Sequence, residues 1–82
     1  MLTYLLDYIR NGIVSYSYHP EGKEDYTGHV LMDEKTGELV EIVRSKHPYE
    51  KHAPMYGNKM YGRMRSLRES GSFEESGIVA WC

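Results

Sequence analysis

The residues with which this chain could do chemistry are four histidines, one cysteine, seven serines and twelve carboxylates. His47 and His52 are five apart, which misses the i, i+4 spacing that sets two metal ligands on one helical face. A zinc site would need both to converge with Cys82 or a distant carboxylate, and there is no Cys-x-x-Cys. His19 and His29 stand apart from them. The histidines therefore read as solvated loop residues.

Cys82, the last residue, is a poor nucleophile, because a thiolate needs an activating base and shaped surroundings. No serine sits in a strand-turn-helix elbow motif. Glu24-Asp25 and Glu74-Glu75 lie in polar stretches, where solvation is the simplest reading. Gly57 and Gly62 match neither a phosphate loop nor a dinucleotide fingerprint. A chain of 82 residues could hardly enclose a pocket on the order of several hundred Å³. The expectation is no catalytic residue, no metal and no cofactor, hence no enzyme.

Polyanion binding is the next chemistry to weigh. Lys59, Arg63, Arg65 and Arg68, with Tyr61 among them, suit phosphates and a stacked base. They belong to the segment Pro54 to Glu69, the one long stretch with helical periodicity. Tyr56, Met60, Met64 and Leu67 recur at spacings of four, four and three and share one face. At about 100° per residue, Lys59 and Arg63 fall on one flank of that apolar stripe, Arg68 on the other, and Arg65 nearly opposite. The charge is spread round a solvent arc, and the net charge of −2 also argues against nucleic acid as the main partner. A nucleic-acid regulator using this arc is the alternative. Protein–protein contact leads, with a homodimer as one form. A small sheet has edges that invite pairing, and Tyr61, Arg65, Arg68, Lys59 and Arg63 are the candidate interaction surface.

The remaining elements are strands. Ile13 to His19 alternates β-branched and aromatic residues with serines. Thr27 to Asp33 puts Val30 and Met32 on one face and His29 and Leu31 on the other. Glu34-Lys35-Thr36-Gly37 predicts a type I turn with Gly37 left-handed, returning through Glu38 to Arg44. Leu2 to Arg10 fits either a helical stripe capped by Gly12 or a strand joined by Asn11-Gly12, a strong hairpin signal. The hairpin is preferred. A two-residue loop pairs Ile9 with Val14, Asp7 with Tyr16 and Leu5 with Tyr18, so those apolar residues share one face. The helix starts early at Pro48, bent at Pro54, or with Pro54 as its first residue. Gly71 ends it. Gly57 and Gly62 inside it imply either close approach or modest stability. Gly77 to Trp81 is a final strand. The order is β-β-β-β-α-β, a small twisted, mostly antiparallel α+β sheet with one helix on one face, in a single domain over residues 1–82.

Eight tyrosines suit half-buried positions capping a thin core, or an aromatic binding surface. The first fifty residues are acidic and the rest basic, which suggests complementary packing of sheet and helix. A lone cysteine excludes a disulfide scaffold. The opening run is interrupted by Asp7 and Arg10 and does not read as a secretory leader. No stretch approaches the roughly 18 apolar residues of a membrane span. Cytoplasm is the expected compartment.

The run HPEGKEDYTGHVLMDEKTGELVEI, then RMRSLRESGSFEESG and a terminal IVAWC, resembles a group of small uncharacterised bacterial proteins. They share a Pro-Glu-Gly loop, a Lys-Thr-Gly-Glu hairpin, a helix and a tail ending in tryptophan and an aromatic, where this chain has Cys82. The resemblance implies the same fold and supplies no activity.

Overall fold

The structure, a computed structural model, describes residues 1–81. Five strands form one antiparallel sheet: β1 (Leu2–Arg10), β2 (Ile13–Pro20), β3 (Gly28–Asp33), β4 (Leu39–Val43) and β5 (Ser76–Val79). Their order is β4-β3-β2-β1-β5, and α1 (Met55–Ser70) packs on one face. The fold is α+β, with the sheet open at both edges.

Leu2 to Arg10 is a strand, and Asn11 and Gly12 both hold positive φ (53° and 78°), as a two-residue hairpin loop requires. Its register departs from a simple hairpin. Ile9 pairs with Val14 as expected, but Asp7 is an extra residue between Leu6↔Tyr16 and Tyr8↔Ser15. This β-bulge inverts the alternation. Tyr4, not Leu5, opposes Tyr18, so Leu2 and Tyr4 are buried while Leu5 is 51% exposed. Ile9 lies at the sheet's end and stays exposed.

The β3–β4 turn forms as expected. Asp33 Oδ1 accepts the N–H groups of Lys35 (2.8 Å) and Thr36 (3.0 Å), and Gly37 takes φ 77°. Neither reading of the helix start holds. Pro48 opens a separate 3-10 turn (Pro48–Glu50), and Pro54 is the residue before the first helical one. Pro54 has ψ 66°, outside the helical range, and so interrupts the two. Gly71, with φ 85°, ends α1. The final strand is shorter than expected, and Trp81 packs on the core beyond it.

The core lies between α1 and the sheet. Tyr56, Met60, Met64 and Leu67 meet Leu2, Tyr4, Val14, Tyr16, Tyr18, Val30 and Met32. Burial of such a side chain contributes about 1.5–3 kcal/mol. Four tyrosines are inside, not capping the rim: Tyr4, Tyr16, Tyr18 and Tyr56 are at most 2% exposed. Three of them carry a hydroxyl through the core to a loop. Tyr16 donates to the Glu74 carbonyl (2.6 Å), Tyr18 to Glu50 (2.7 Å) and Tyr56 to Glu21 (2.8 Å). Two lie over glycines of the neighbouring strand. Tyr18 pairs with Gly28 and Tyr4 with Gly77, and each ring fills the space a Cβ there would need. The glycines therefore admit rings that no other residue would leave room for.

Candidate functional site

The helix residues expected to form an interaction surface are not gathered on one face. They divide between the two ends of the sheet. On one flank Arg63 Nη2 donates to the Ile78 carbonyl (3.4 Å), and the Lys59 ammonium lies 5.4 Å from the Trp81 ring centre. On the other, Tyr61 donates to the Gly37 carbonyl (2.7 Å). Arg68 Nε donates to the Glu34 carbonyl (2.9 Å) and its Nη2 to the Lys35 carbonyl. Arg65 stacks over Tyr61 at 5.2 Å. A shallow cleft of about 280 Å³ lies there, but Glu38 and Glu69 line it together with Arg65 and Arg68, so it selects no anion. Arg68 and Arg63 thus hold α1 to the sheet through carbonyls. Among the described residues the ion pair is Met1 with Glu21, and His29 Nδ1 lies 3.4 Å from Asp7, so the expected charge match of helix and sheet takes no ion-pair form.

One carboxylate is deeply placed. Glu50 is 1% exposed. Its Oε1 accepts from Tyr18 (2.7 Å), the Ser45 N–H (3.0 Å) and the Ser45 hydroxyl (2.5 Å), and Oε2 accepts the Gly57 N–H (2.8 Å). Burial pushes its pKa up, but the hydrogen bonds from Ser45, Gly57 and Tyr18 outweigh burial and hold it below the ordinary value. The arrangement has the ingredients of an acid–base site but no access for a substrate. Its work is to close the first turn of α1, for which Pro54 offers no side-chain cap. A sequence signal existed: Glu50 is the sole acid between Arg44 and Pro54, just ahead of a helix that lacks a capping residue.

The uncovered sheet face carries a second polar group. The Asp7 bulge aims its carboxylate at Ser15 (3.0 Å) and Ser17 (2.6 Å), with His29 Nδ1 at 3.2 Å from Ser17 and 3.4 Å from Asp7. Serine, histidine and aspartate meet here, but not as a nucleophile relay. A relay puts the imidazole between the other two through both nitrogens. Here one nitrogen faces both partners, and the Ser17 hydroxyl donates its hydrogen bond directly to Asp7.

His47 accepts the Tyr49 N–H at 3.1 Å and is ringed by Tyr26, Tyr49 and Tyr56. Among the described residues no three of histidine, cysteine, aspartate and glutamate gather as metal ligands, and Cys82 lies outside them. Nor among them is any helix long and apolar enough to cross a membrane.

What remains open is a sheet edge. β4 exposes Leu39 (43%), Val40 (52%) and Val43 (44%). Asp33 turns both backbone groups toward the strand's approach, accepting from Gly37 and donating to Glu38. By alternation Leu31↔Glu41 is a bonded pair, and Ile42 points its N–H and C=O outward. The other edge is β5, four residues long with Ile78 58% exposed, continued by the free half of β1 with its Asp7 bulge.

Comparison with family models, curated proteins and solved structures found no match for this chain.

Proposed function

We propose that this chain is a non-enzymatic cytoplasmic protein of accessory or inhibitory type that acts through protein contacts, its first partner being a second copy paired along β4. The observation that carries this reading is the open β4 edge with three exposed apolar side chains. The strand is also self-complementary. Glu38 precedes it and Arg44 follows it. Antiparallel pairing about a two-fold at Glu41 sets Glu38 of each copy against Arg44 of the other and Leu39 against Val43, at the cost of facing the two Glu41 side chains. The bulge at Val40 sits beside the turn and leaves Glu41 to Val43 as regular edge.

Size exclusion with light scattering tests it. A dimer mass that returns to monomer in Val40→Lys with Val43→Lys supports the pairing. A monomer over the whole accessible concentration range overturns it. Both positions are exposed, so the variant keeps its fold.

A further inference from the structure

The segment from Arg44 to Pro54 joins β4 to α1. Arg44, Lys46 and Lys51 are all exposed on it. Its one carboxylate, Glu50, is turned inward and occupied by Tyr18, Ser45 and Gly57. The loop's outer surface therefore carries positive charge with no acid of its own to neutralise it.

Beside those cations stands a run of rings in edge-on contact. Tyr49, 69% exposed, meets His47 at 5.0 Å between ring centres. His47 meets Tyr26 at 5.1 Å and Tyr56 at 4.9 Å, and Tyr56 meets Trp81 at 5.7 Å. Tyr49 is thus a large exposed ring held in place from behind, so little ordering cost remains when something stacks on it. Glu21, which reaches Tyr56 from the loop after β2, is held by the Met1 ammonium and the Tyr56 hydroxyl. Glu24 and Asp25 bound the patch on the Tyr26 side.

We infer that this loop binds single-stranded nucleic acid, with Lys46 and Lys51 on phosphates and Tyr49 stacked on a base. Cations alone would suit any polyanion. The pre-positioned ring adds a flat surface matched to an unpaired base, which a duplex keeps stacked inside. This site is separate from the basic arc of α1, whose cations are spread and partly engaged, and it does not depend on pairing through β4.

Fluorescence anisotropy of the full chain with labelled thymidine and uridine oligomers of about 15 nucleotides tests it. Binding to either is expected at about 25 mM salt, weakening about tenfold by about 150 mM, the slope for two phosphate contacts. Lys46→Glu with Lys51→Glu abolishes binding, and Tyr49→Ala weakens it about tenfold. Lys35→Glu, in the β3–β4 turn, leaves it unchanged. All four positions are exposed, and an unaltered circular dichroism spectrum separates lost binding from lost fold. Three outcomes overturn the inference: no binding at low salt, undiminished binding in the double lysine variant, or heparin and polyglutamate competing as well as the oligomers while Tyr49→Ala has no effect.

Discussion

Gly57 donates its backbone N–H to Glu50 Oε2 at 2.8 Å, joining the first turn of α1 to the loop that delivers it. The same carboxylate holds Tyr18 of β2 and Ser45 after β4. One buried charge thus fixes helix, sheet and connection relative to each other. Glu50→Ala leaves the Tyr18 and Ser45 hydroxyls and the Gly57 N–H without their acceptor in the interior. The expected loss is about 3 kcal/mol, with Glu50→Gln losing less, read from urea unfolding at neutral pH.

Acid should unfold the chain through the same group. Glu50, Glu21 and Asp33 all have carboxyl pKa values held below ordinary, so each binds its proton more readily when unfolded. Their contribution is complete above the ordinary carboxyl values of 4.5 and 3.8 and is lost as pH falls through the lowered folded ones. Urea midpoints measured downward from neutrality should fall steadily, and Glu50→Gln should flatten the decline.

The alkaline limb belongs to the tyrosines. Burial pushes Tyr16 up to about 12, and burial with the Glu21 hydrogen bond pushes Tyr56 up to about 12. Tyr4 and Tyr18 are raised as well, chiefly by burial. A raised pKa favours the protonated folded form, so this stability is whole below the ordinary value of 10.0 and is lost as pH rises toward 12. Absorbance titration should show these four ionising only with unfolding.

Two glycines in α1 should respond oppositely to alanine. A Cβ at Gly57 would lie 2.6 Å from Ile42 Cγ2, whereas one at Gly62 meets nothing within 4 Å. Gly57→Ala should cost about 1–3 kcal/mol through overpacking. Gly62→Ala should add about 0.5–1 kcal/mol through helix propensity. Thermal unfolding of the two variants checks both signs.

Deleting Asp7 should be far worse than substituting it. Asp7→Ala removes two serine hydrogen bonds, at about 1–2 kcal/mol. Deletion removes the bulge, so either Leu2 and Tyr4 or the Asn11-Gly12 turn must leave its place. Loss of cooperative unfolding in the deletion alone is the expected result.

Much of this architecture was legible because it depends on short-range rules. Asn11-Gly12 and the run from Asp33 to Gly37 dictate their turns by backbone chemistry, and Val30 and Met32 declare their face by alternation. The Asp7 bulge left no such mark, since an extra residue has no side-chain signature and shows only when Tyr4 must meet Tyr18. The flanks of α1 were legible by angle: Arg63 and Arg68 do face opposite ends of the sheet. That both reach carbonyls was not, because main-chain acceptors from distant loops are invisible in a string. Glu50 was missed for a related reason. Its burial depends on Tyr18 and Gly57, seven and more residues away in sequence.

The rings of Tyr18 and Tyr4 over Gly28 and Gly77 also bear on how this chain can change over generations. At either pair a first substitution alone is costly, since a side chain at the glycine collides with the ring and a smaller residue at the tyrosine leaves a cavity. The two positions of each pair are therefore bound to drift jointly. Any relative with a larger residue at position 28 should carry a smaller one at position 18, and likewise for positions 77 and 4.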